Sequence, residues 1–337
     1  MRVLVVKTSS LGDLIHTFPA LTDARRALPG IEFHWLVEEA FIEVPAWHPA
    51  VSRVLPIALR RWRRNWRKAW GSGQLRAFRQ MLGQDSYDLV IDAQGLLKSA
   101  LPARWARGPR AGYDRHSIRE PLASLFYARR YAVSRQLHAV ERVRRLFSSA
   151  LEYALPETAP DFGLADASVN RNRQLVFLHG TTWPSKHWPL AWWVELTRMA
   201  AEQGYEVGFP WHEPEERLHA EKIIARAEHG ELLRRMGLSD MKSCLRQAAG
   251  VVGVDTGLAH LAAALDTPAV TLYGATAPGL TGAVGRRQLN LSVDYDCAPC
   301  MKRNCTYHGQ AVVTPPCYET LSPERVWIAL RQQMADS

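Results

Sequence analysis

Two segments in the second half of the chain contain residue types that bind phosphate. In Thr181–Lys186, two adjacent hydroxyls precede a lysine, so short donors are joined by a cation on a longer side chain. In Asp255–His260, a glycine lets a ligand approach the backbone, and the free N–H groups of a helix start can hold a diphosphate. The two segments predict a diphosphate site. The same pattern would also arise without a ligand. Lys186 would then be an exposed lysine, Asp255 and Thr256 would be ordinary helix caps, and His260 would lie on the surface.

A third segment of this kind, Lys7–Asp13, lies near the start of the chain and contains hydroxyls, a glycine and an acid. The apolar run before it is typical of a buried strand, and the apolar spacing after Asp13 is typical of a helix. Asp13 is therefore expected in the first turn of a helix, where N–H groups and the helix dipole favour a carboxylate. Taken alone, the pattern favours an Asp13 that only caps this helix.

All three segments follow apolar runs, and open α/β sheets bind their ligands at the carboxyl ends of buried strands. Strand and helix patterns alternate in both halves of the chain, which predicts an α/β fold with parallel sheets. Strands are predicted near residues 2–6, 33–37, 53–57, 88–92, 175–178, 207–209, 251–254 and 269–273. Between about 152 and 174, prolines and polar residues interrupt the alternation. We therefore expect two domains, 1–160 and 161–337, with a ligand cleft between them and a last helix that can pack back on the first domain.

Length and composition support this organisation. The chain has 337 residues, too many for one ordinary core, and its 47% apolar and 22% charged residues describe a globular protein. No apolar run approaches the roughly 18 residues of a membrane span and no signal peptide is evident, so we expect a cytoplasmic protein. Lys and Arg exceed Asp and Glu by 42 to 33, and the resulting charge of +9 suits an anionic partner.

Basic residues are concentrated between Arg60 and Trp70, where six cations are interleaved with three tryptophans. On a helix, the tryptophans would form one row and three of the cations a parallel row. The rows comprise Trp62, Trp66 and Trp70, and Arg60, Arg64 and Lys68. A basic face beside an aromatic face predicts a helix at an anionic membrane surface, with a solvated helix packed on the domain as the alternative. Nucleic-acid binding is disfavoured because no zinc-finger, helix-turn-helix or RNP-type pattern accompanies the segment.

These segments, together with three others, resemble the bacterial ADP-heptose:lipopolysaccharide heptosyltransferases of glycosyltransferase family 9. The others are Trp35–Glu39, Asp92–Leu96 and Arg119–Tyr127, so the resemblance covers most of the chain. It implies a GT-B fold, in which two Rossmann-like domains face a cleft, with the acceptor on the N-terminal domain and the ADP-sugar on the C-terminal one. It further implies inverting transfer of L-glycero-D-manno-heptose from ADP-heptose to a Kdo residue of Kdo2-lipid A, in the lipopolysaccharide inner core.

The resemblance also implies roles for individual residues. Asp13 would be the general base that takes the proton of the attacking acceptor hydroxyl, in addition to any capping role. The implied donor-binding residues are Thr181, Thr182, Lys186, Glu216, Met236, Asp255, Thr256, Gly257 and His260. The implied acceptor-binding residues are Ser9, Ser10, Arg60, Arg61, Arg63, Arg64, Lys98 and Arg119. No metal or cofactor is required, since cations and helix N–H groups can stabilise the departing diphosphate.

The expected partners are ADP-heptose, Kdo2-lipid A and the anionic inner leaflet of the inner membrane, on whose cytoplasmic face the chain would act as a peripheral monomer. A transferase for the heptosylated acceptor is the alternative within the family. A nucleotide-dependent oxidoreductase is disfavoured because no Gly-x-Gly-x-x-Gly follows the first strand. A lipid A-binding module without activity would not need Asp13 and Lys186, and both are present.

Four of the five cysteines cluster near the end of the sequence, at Cys297, Cys300, Cys305 and Cys317. We expect reduced thiols that pack a loop, ahead of a structural Zn²⁺ and of disulfides, because the spacing is a weak zinc signature and the expected compartment is reducing. Asp294–Asp296 matches a metal-binding Asp-x-Asp by pattern. It carries little weight because it lies outside any predicted strand end.

Overall fold

The computed structural model describes residues 1–65, 67, 71–166 and 168–335. The chain divides into two compact units, Met1–Leu164 and Ala165–Ser337. The division falls after Leu164 rather than after residue 160, and both Phe162 and Leu164 are buried. The described residues from 152 to 173 contain no helix or strand, as the interrupted pattern predicts.

The first unit alternates strands and helices around one sheet. Its strands are β1 (Arg2–Val6), β2 (Glu32–Glu38), β3 (Val51–Ile57), β4 (Leu89–Asp92), β5 (Arg110–Tyr113) and β6 (Arg129–Tyr131). Its helices, in the described residues, are α1 (Leu11–Ile15), α2 (Phe18–Ala27), α3 (Leu59–Arg64), α4 (Gln74–Leu82), α5 (Leu97–Ala103) and α6 (Ala139–Leu151). Short 3-10 helices lie at Glu39–Phe41, Pro45–Trp47 and Pro121–Phe126.

The six strands described in this unit are all parallel and lie in the order β3-β2-β1-β4-β5-β6. β1 and β4 lie side by side in the centre because their apolar residues are buried on both faces. The chain leaves β1 toward one edge and β4 toward the other, so the ends of these strands form the switch point at which open α/β sheets bind ligands. Lys7–Asp13 follows β1 and Ala93–Leu96 follows β4.

The second unit is built in the same way. Its strands are β7 (Gln174–Leu178), β8 (Glu206–Phe209), β9 (Glu231–Leu232), β10 (Gly250–Val254), β11 (Ala269–Tyr273) and β12 (Gln288–Ser292). Its helices, in the described residues, are α7 (Leu190–Glu202), α8 (Pro214–Ala227), α9 (Leu238–Gln247), α10 (Gly257–Ala264), α11 (Pro278–Thr281) and α12 (Pro323–Ala335). Two short 3-10 helices lie at Pro184–Lys186 and Pro316–Thr320.

The second sheet is also parallel and lies in the order β12-β11-β10-β7-β8-β9, which is the topology of the first sheet with β7 and β10 at the switch point. Its core contains the tryptophans Trp188 and Trp193, whose rings are 4.9 Å apart. α12 packs against α7, β10 and β11 of its own unit. That α12 also packs back on the first unit stays a prediction. Thr181–Lys186 follows β7 and Asp255–His260 begins where β10 ends.

The predicted α/β fold with parallel sheets is confirmed, and every predicted strand is present with its ends shifted by two residues at most. The sequence does not predict β5, β6, β9 and β12. These strands are short and rich in polar residues, so the apolar signal that marks a buried strand is weak in them.

The single helix predicted from Arg60 to Trp70 is wrong. α3 ends at Arg64, and Asn65 leaves the helical conformation with φ −141° and ψ 59°. None of the α3 residues is fully buried. Leu59 and Trp62 pack partly buried against the core, and the arginines that follow add like charges without burial, which disfavours continuation of the helix. The predicted rows of side chains also depend on residues that lie outside the described part of the chain. These residues are Trp66, Lys68 and Trp70.

Asp294–Asp296 lies directly beyond β12, so the expectation that this pattern stands away from a strand end is wrong. Within the described residues, no group of three His, Cys, Asp or Glu side chains is arranged to hold a metal ion. Over the same residues, every helix is too short or too polar to cross a membrane.

Candidate functional site

Asp13 lies at the third position of α1, just beyond the end of β1. Its Oδ2 accepts hydrogen bonds from the Ser10 N–H at 2.9 Å and from the Ser10 hydroxyl at 2.8 Å, so the carboxylate caps the helix start. Its Oδ1 lies 3.5 Å from Nζ of Lys7. The Asp13 side chain is 45% exposed, whereas that of Lys7 is 9% exposed. The carboxylate is therefore held on one side and accessible on the other.

The surroundings of Asp13 keep its carboxyl group ionised. Desolvation by the protein raises its pKa, but the Lys7 charge and the two hydrogen bonds from Ser10 outweigh this effect and lower the pKa to about 2. Lys7 is itself fixed, because its Nζ donates to the Ala93 carbonyl at 3.1 Å. Trp35 Nε1 donates to the Lys7 carbonyl at 2.9 Å. The pair presents an ionised carboxylate, which is the form that can accept a proton.

Gln94, beyond the end of β4, holds the segment that leads to Asp13. Its Oε1 accepts hydrogen bonds from the backbone N–H groups of Thr8 and Ser9 at 3.0 and 3.3 Å. Gln94 is positioned by the buried Asp92, which is satisfied by four donors. The donors are the N–H groups of Gln94 and Gly95 and the hydroxyls of Ser99 and Tyr127. Asp92 therefore acts on the site through Gln94.

Two further acceptor residues implied by the resemblance belong to the same neighbourhood. Lys98, on α5, donates from Nζ to the Ser9 hydroxyl at 3.2 Å, which brings its charge beside the Asp13 segment. Arg119 is exposed, and the adjoining Glu120 accepts a hydrogen bond from the Leu97 N–H at 2.7 Å. This bond fixes the Arg119 segment at the start of the helix that contains Lys98.

The arginines of α3 are tied to the end of β2. Arg61 binds Glu39 through two hydrogen bonds, Nε to Oε1 at 3.1 Å and Nη2 to Oε2 at 3.0 Å. The Arg60 N–H donates to Glu38 Oε1 at 3.1 Å, and the Arg60 guanidinium lies over the Phe41 ring at 5.4 Å. The four arginines of α3 are all exposed, namely Arg60, Arg61, Arg63 and Arg64. α3 therefore presents a cationic surface of the first unit.

In the second unit, Lys186 and Asp255 meet from the ends of β7 and β10. Lys186 Nζ donates to Asp255 Oδ2 at 2.6 Å, and the Thr276 hydroxyl donates to the same oxygen at 2.7 Å. His260 Nε2 lies 3.7 Å from Asp255 Oδ1. Burial raises the pKa of Asp255, but His260 and Lys186 outweigh it and hold the pKa well below its usual range. Asp255 is thus a buried anion that positions Lys186 and not an ordinary helix cap.

The start of α10 adjoins this pair. Thr256 precedes the helix in an extended conformation, with φ −146° and ψ 160°, and its side chain makes no capping hydrogen bond. Gly257 is the first helical residue, so no side chain covers the N–H groups of the first turn there. His260 is buried, so the alternative in which it lies on the surface is wrong. N–H groups, a hydroxyl and a cation together form an environment that suits a diphosphate.

The remaining donor residues implied by the resemblance surround the same edge of the sheet. Thr181 and Thr182 follow β7, and Thr182 is exposed. Glu216, in the first turn of α8, accepts from two backbone N–H groups just before the helix at 2.8 and 3.3 Å. A Cβ atom at Gly180 would lie 2.6 Å from Glu216 Oε1, so a larger residue there would require the Glu216 side chain to move. Met236 is half-buried between β9 and α9, and its place against a nucleotide stays a prediction.

Several residues contribute contacts that the sequence analysis did not assign. Lys7 and Gln94 lie within the segments Lys7–Asp13 and Asp92–Leu96. The sequence could have indicated them, since both are polar residues next to the ends of central strands. Thr276 follows β11 in the same way. The hydroxyl of Tyr318 donates to the Lys186 carbonyl at 2.9 Å across 132 positions of sequence. No local pattern indicates such a contact.

The four clustered cysteines and Cys244 are all free thiols.

Comparison with known proteins gives the family. The sequence model of glycosyltransferase family 9 (heptosyltransferase) matches residues 75–311. Lipopolysaccharide heptosyltransferase 1 of Pseudomonas aeruginosa is 53% identical over 97% of this chain and 96% of that protein. Lipopolysaccharide heptosyltransferase 1 of Escherichia coli K12 is 48% identical over 86% of this chain and 92% of that protein.

Solved structures agree with this assignment. Escherichia coli heptosyltransferase WaaC with ADP has a TM-score of 0.82 and 46% identity, over 87% of this chain and 94% of that one. Escherichia coli ADP-heptose lps heptosyltransferase II has a TM-score of 0.77 at 19% identity, over 100% of this chain and 99% of that one, which supports the fold alone. The chain therefore belongs to glycosyltransferase family 9, the heptosyltransferases, and is a glycosyltransferase of the GT-B fold class.

Proposed function

We propose that this chain transfers L-glycero-D-manno-heptose from ADP-heptose to a Kdo residue of Kdo2-lipid A in lipopolysaccharide core synthesis. The observation that carries the proposal is the 53% identity to a lipopolysaccharide heptosyltransferase 1 over nearly the full length of both chains. A similar Escherichia coli structure contains ADP-2-deoxy-2-fluoro heptose, which supports the same class of donor here. The Lys186–Asp255 pair beside the start of α10 supports it independently, since a diphosphate needs a cation and N–H donors.

In the proposed reaction, a Kdo hydroxyl attacks the anomeric carbon of the heptose from the side opposite to ADP, which inverts that centre. Asp13 takes the hydroxyl proton as the new carbon–oxygen bond forms. The bond between the anomeric carbon and the diphosphate oxygen breaks, and its electron pair leaves with ADP. Lys186 and the N–H groups of α10 stabilise the charge that develops on the diphosphate.

The low pKa of Asp13 defines how it can act as a base. A carboxylate with a pKa of about 2 is weakly basic toward a free hydroxyl. The acidity of the hydroxyl rises once its oxygen bonds to the anomeric carbon, so the proton moves to Asp13 late in the step. Asp13 contributes by being ionised and held in place, and Lys7 supports both properties.

The acceptor is assigned to the cationic surfaces of the first unit. Kdo carboxylates and lipid A phosphates are anions, which arginine can bind through paired hydrogen bonds. The Arg61–Glu39 pair is exposed, so exchanging Glu39 for an acceptor anion costs little. Lys98 offers a second cation beside Ser9, close in the structure to the carboxylate that would act as base.

We further propose that the chain acts as a peripheral protein on the cytoplasmic face of the inner membrane. Leu122 and Leu125, in the 3-10 helix Pro121–Phe126, are 63% and 65% exposed. This 3-10 helix packs against α5, which contributes the exposed Leu101. The exposed Arg104 follows α5 and the exposed Arg119 precedes the 3-10 helix, and apolar side chains next to cations suit an anionic bilayer surface.

The direct test compares two acceptors. Purified protein is incubated with ADP-heptose and either Kdo2-lipid A or heptosylated Kdo2-lipid A, and ADP release is followed, with a sample lacking acceptor to measure hydrolysis of the donor. We expect turnover with Kdo2-lipid A. Turnover confined to the heptosylated acceptor would replace the proposal with transfer of a later heptose.

A further inference from the structure

The cysteine-rich segment, defined as residues 297–317, contacts the loop that contains Lys186. The Ser185 N–H donates to the Arg303 carbonyl at 3.2 Å, and the Ser185 hydroxyl donates to the Lys302 carbonyl at 2.6 Å. Ser185 is buried and directly precedes Lys186. Tyr318, next to the end of the segment, donates from its hydroxyl to the Lys186 carbonyl at 2.9 Å. The backbone on both sides of the Lys186 side chain is therefore fixed by this part of the chain.

The same segment also contacts the loop that leads to Thr276. The Met301 N–H donates to the Ala275 carbonyl at 2.7 Å. Thr276, the next residue, donates its hydroxyl to Asp255. Both partners of the Lys186–Asp255 pair thus depend on neighbours that the cysteine-rich segment holds.

The four cysteines of the segment line one cavity of about 150 Å³. Ser185 and Ala275, which form the two bridging contacts, line the same cavity. Cys297 and Cys305 are exposed, Cys300 is half-buried and Cys317 is buried. Burial, together with the three neighbouring cysteines, raises the pKa of Cys317 to about 12. Solvent-borne reagents therefore reach the outer thiols first, while Cys317 stays protonated.

From this arrangement we infer that the cysteine-rich segment is a thiol-modification site whose occupation disturbs the diphosphate-binding residues Lys186 and Asp255. Its ligand class is a small thiol-reactive electrophile, such as a disulfide or thiosulfonate. A group added to a cavity-lining sulfur enters the cavity that Ser185 and Ala275 line, where it contacts the two loops that hold Lys186 and Thr276. Residues 301–310 are all exposed, so few apolar contacts resist a shift of the segment. The inference rests on the proposed donor site.

The test begins with the unmodified protein. ADP binding is measured by calorimetry for the wild-type chain and for Lys186→Met, before any thiol reagent is used. Absence of ADP binding, or equal affinity in the two proteins, would overturn the proposed donor site itself. The metal content of the protein is also measured. One equivalent of metal per chain that blocks the thiols would overturn the inference of a thiol-modification site, and the proposed donor site would be unaffected.

Methyl methanethiosulfonate is then added. Each reacting thiolate forms a disulfide with the methylthio group while methanesulfinate leaves, and dithiothreitol reverses the reaction. We expect the Kd for ADP to rise at least fivefold on modification and to return after reduction. In turnover, the KM for ADP-heptose should rise while the KM for the acceptor stays the same, which general unfolding would not produce.

Two variants locate the effect. The Cys244→Ser variant removes the one cysteine outside the segment, and it should respond to the reagent as the wild type does. The triple variant Cys297→Ser, Cys300→Ser and Cys305→Ser keeps the buried Cys317 and should retain its ADP affinity in the presence of reagent. Unchanged ADP affinity in wild-type protein whose mass shows methylthio groups on the segment would overturn the inference. So would a response that persists in the triple variant.

Discussion

Lys7 and Asp13 form an ion pair in which the buried lysine fixes the more exposed carboxylate. The pair is held from three directions, by Ser10 on the helix start, by Ala93 beyond β4 and by Trp35 on β2. Sequence alone indicates an acid at a helix start and leaves open whether it does more than cap. The structure adds the accessible oxygen and the low pKa, because both depend on how the fold places Lys7 and Ser10 around the carboxylate.

Asp13→Asn tests the assignment of the base. Asparagine keeps an oxygen that can accept the hydrogen bonds of Ser10, but it cannot take a proton at neutral pH. A positioned general base contributes roughly 10²- to 10⁴-fold to a rate, so kcat should fall within that range. The Kd for ADP, measured by calorimetry, should stay unchanged since the proposed ADP site lies in the other unit. A variant with wild-type kcat would remove Asp13 from the mechanism.

Lys7→Met tests the electrostatic role of the lysine. Because the Lys7 charge lowers the pKa of Asp13, its removal must raise that pKa. Asp13 works as the anion, so the acid limb of the pH–rate profile should appear at higher pH in the variant than in the wild type. In the wild type, ionised Asp13 also favours folding above about pH 4, and this contribution is lost as the pH falls toward 2. Superimposable acid limbs, with ADP binding intact, would contradict the role of Lys7.

At the level of elements, most of the candidate site residues in each unit follow the ends of its two central strands. β1 and β4 hold the Asp13 segment, and β7 and β10 hold Lys186 and Asp255. The sequence predicts these four strands, because strands buried on both faces are nearly continuous apolar runs. It does not predict the break after Arg64, since charge repulsion and missing burial act against the local helical pattern of α3. Contacts such as Tyr318 with Lys186 depend on the complete fold.

The Lys186–Asp255 pair allows stability and binding to be separated. Lys186→Ala leaves Asp255 buried without its cation, and breaking such a pair costs about 3–5 kcal/mol of unfolding free energy. The double variant Lys186→Met with Asp255→Asn removes both charges, so it should recover most of that loss. Both proteins should bind ADP at least tenfold more weakly, because each lacks the cation at the diphosphate. Denaturant unfolding and calorimetry measure the two effects. ADP affinity restored in the double variant would argue against direct binding by Lys186.

At the scale of the whole molecule, each unit repeats one parallel topology and places polar loops at its switch point. The first unit has the carboxylate and the exposed arginines, and the second has the lysine and the free helix start. This division of residues is what the family resemblance predicts for transfer from a nucleotide-sugar to an anionic acceptor. The cleft between the units stays a prediction of the sequence.

Leu122→Ser combined with Leu125→Ser tests the proposed membrane contact. Both leucines are largely exposed, so the unfolding free energy should change by less than about 0.5 kcal/mol per site. Each leucine buried in a bilayer contributes up to about 1.5–3 kcal/mol, so sedimentation with anionic vesicles should fall at least tenfold. Leu218→Ser, at a leucine 55% exposed on α8 of the second unit, is the matched control and should sediment like the wild type. Equal sedimentation of all three proteins would contradict the proposed contact.

The most direct test of the central claim is the structure of the reaction product. Purified protein is incubated with ADP-heptose and Kdo2-lipid A, and the glycosidic bond that forms is identified by NMR. The proposal predicts one new bond from the heptose anomeric carbon to a Kdo oxygen, with the anomeric configuration opposite to that of the donor. A product that retains the donor configuration, or a heptose attached elsewhere than to Kdo, would contradict it.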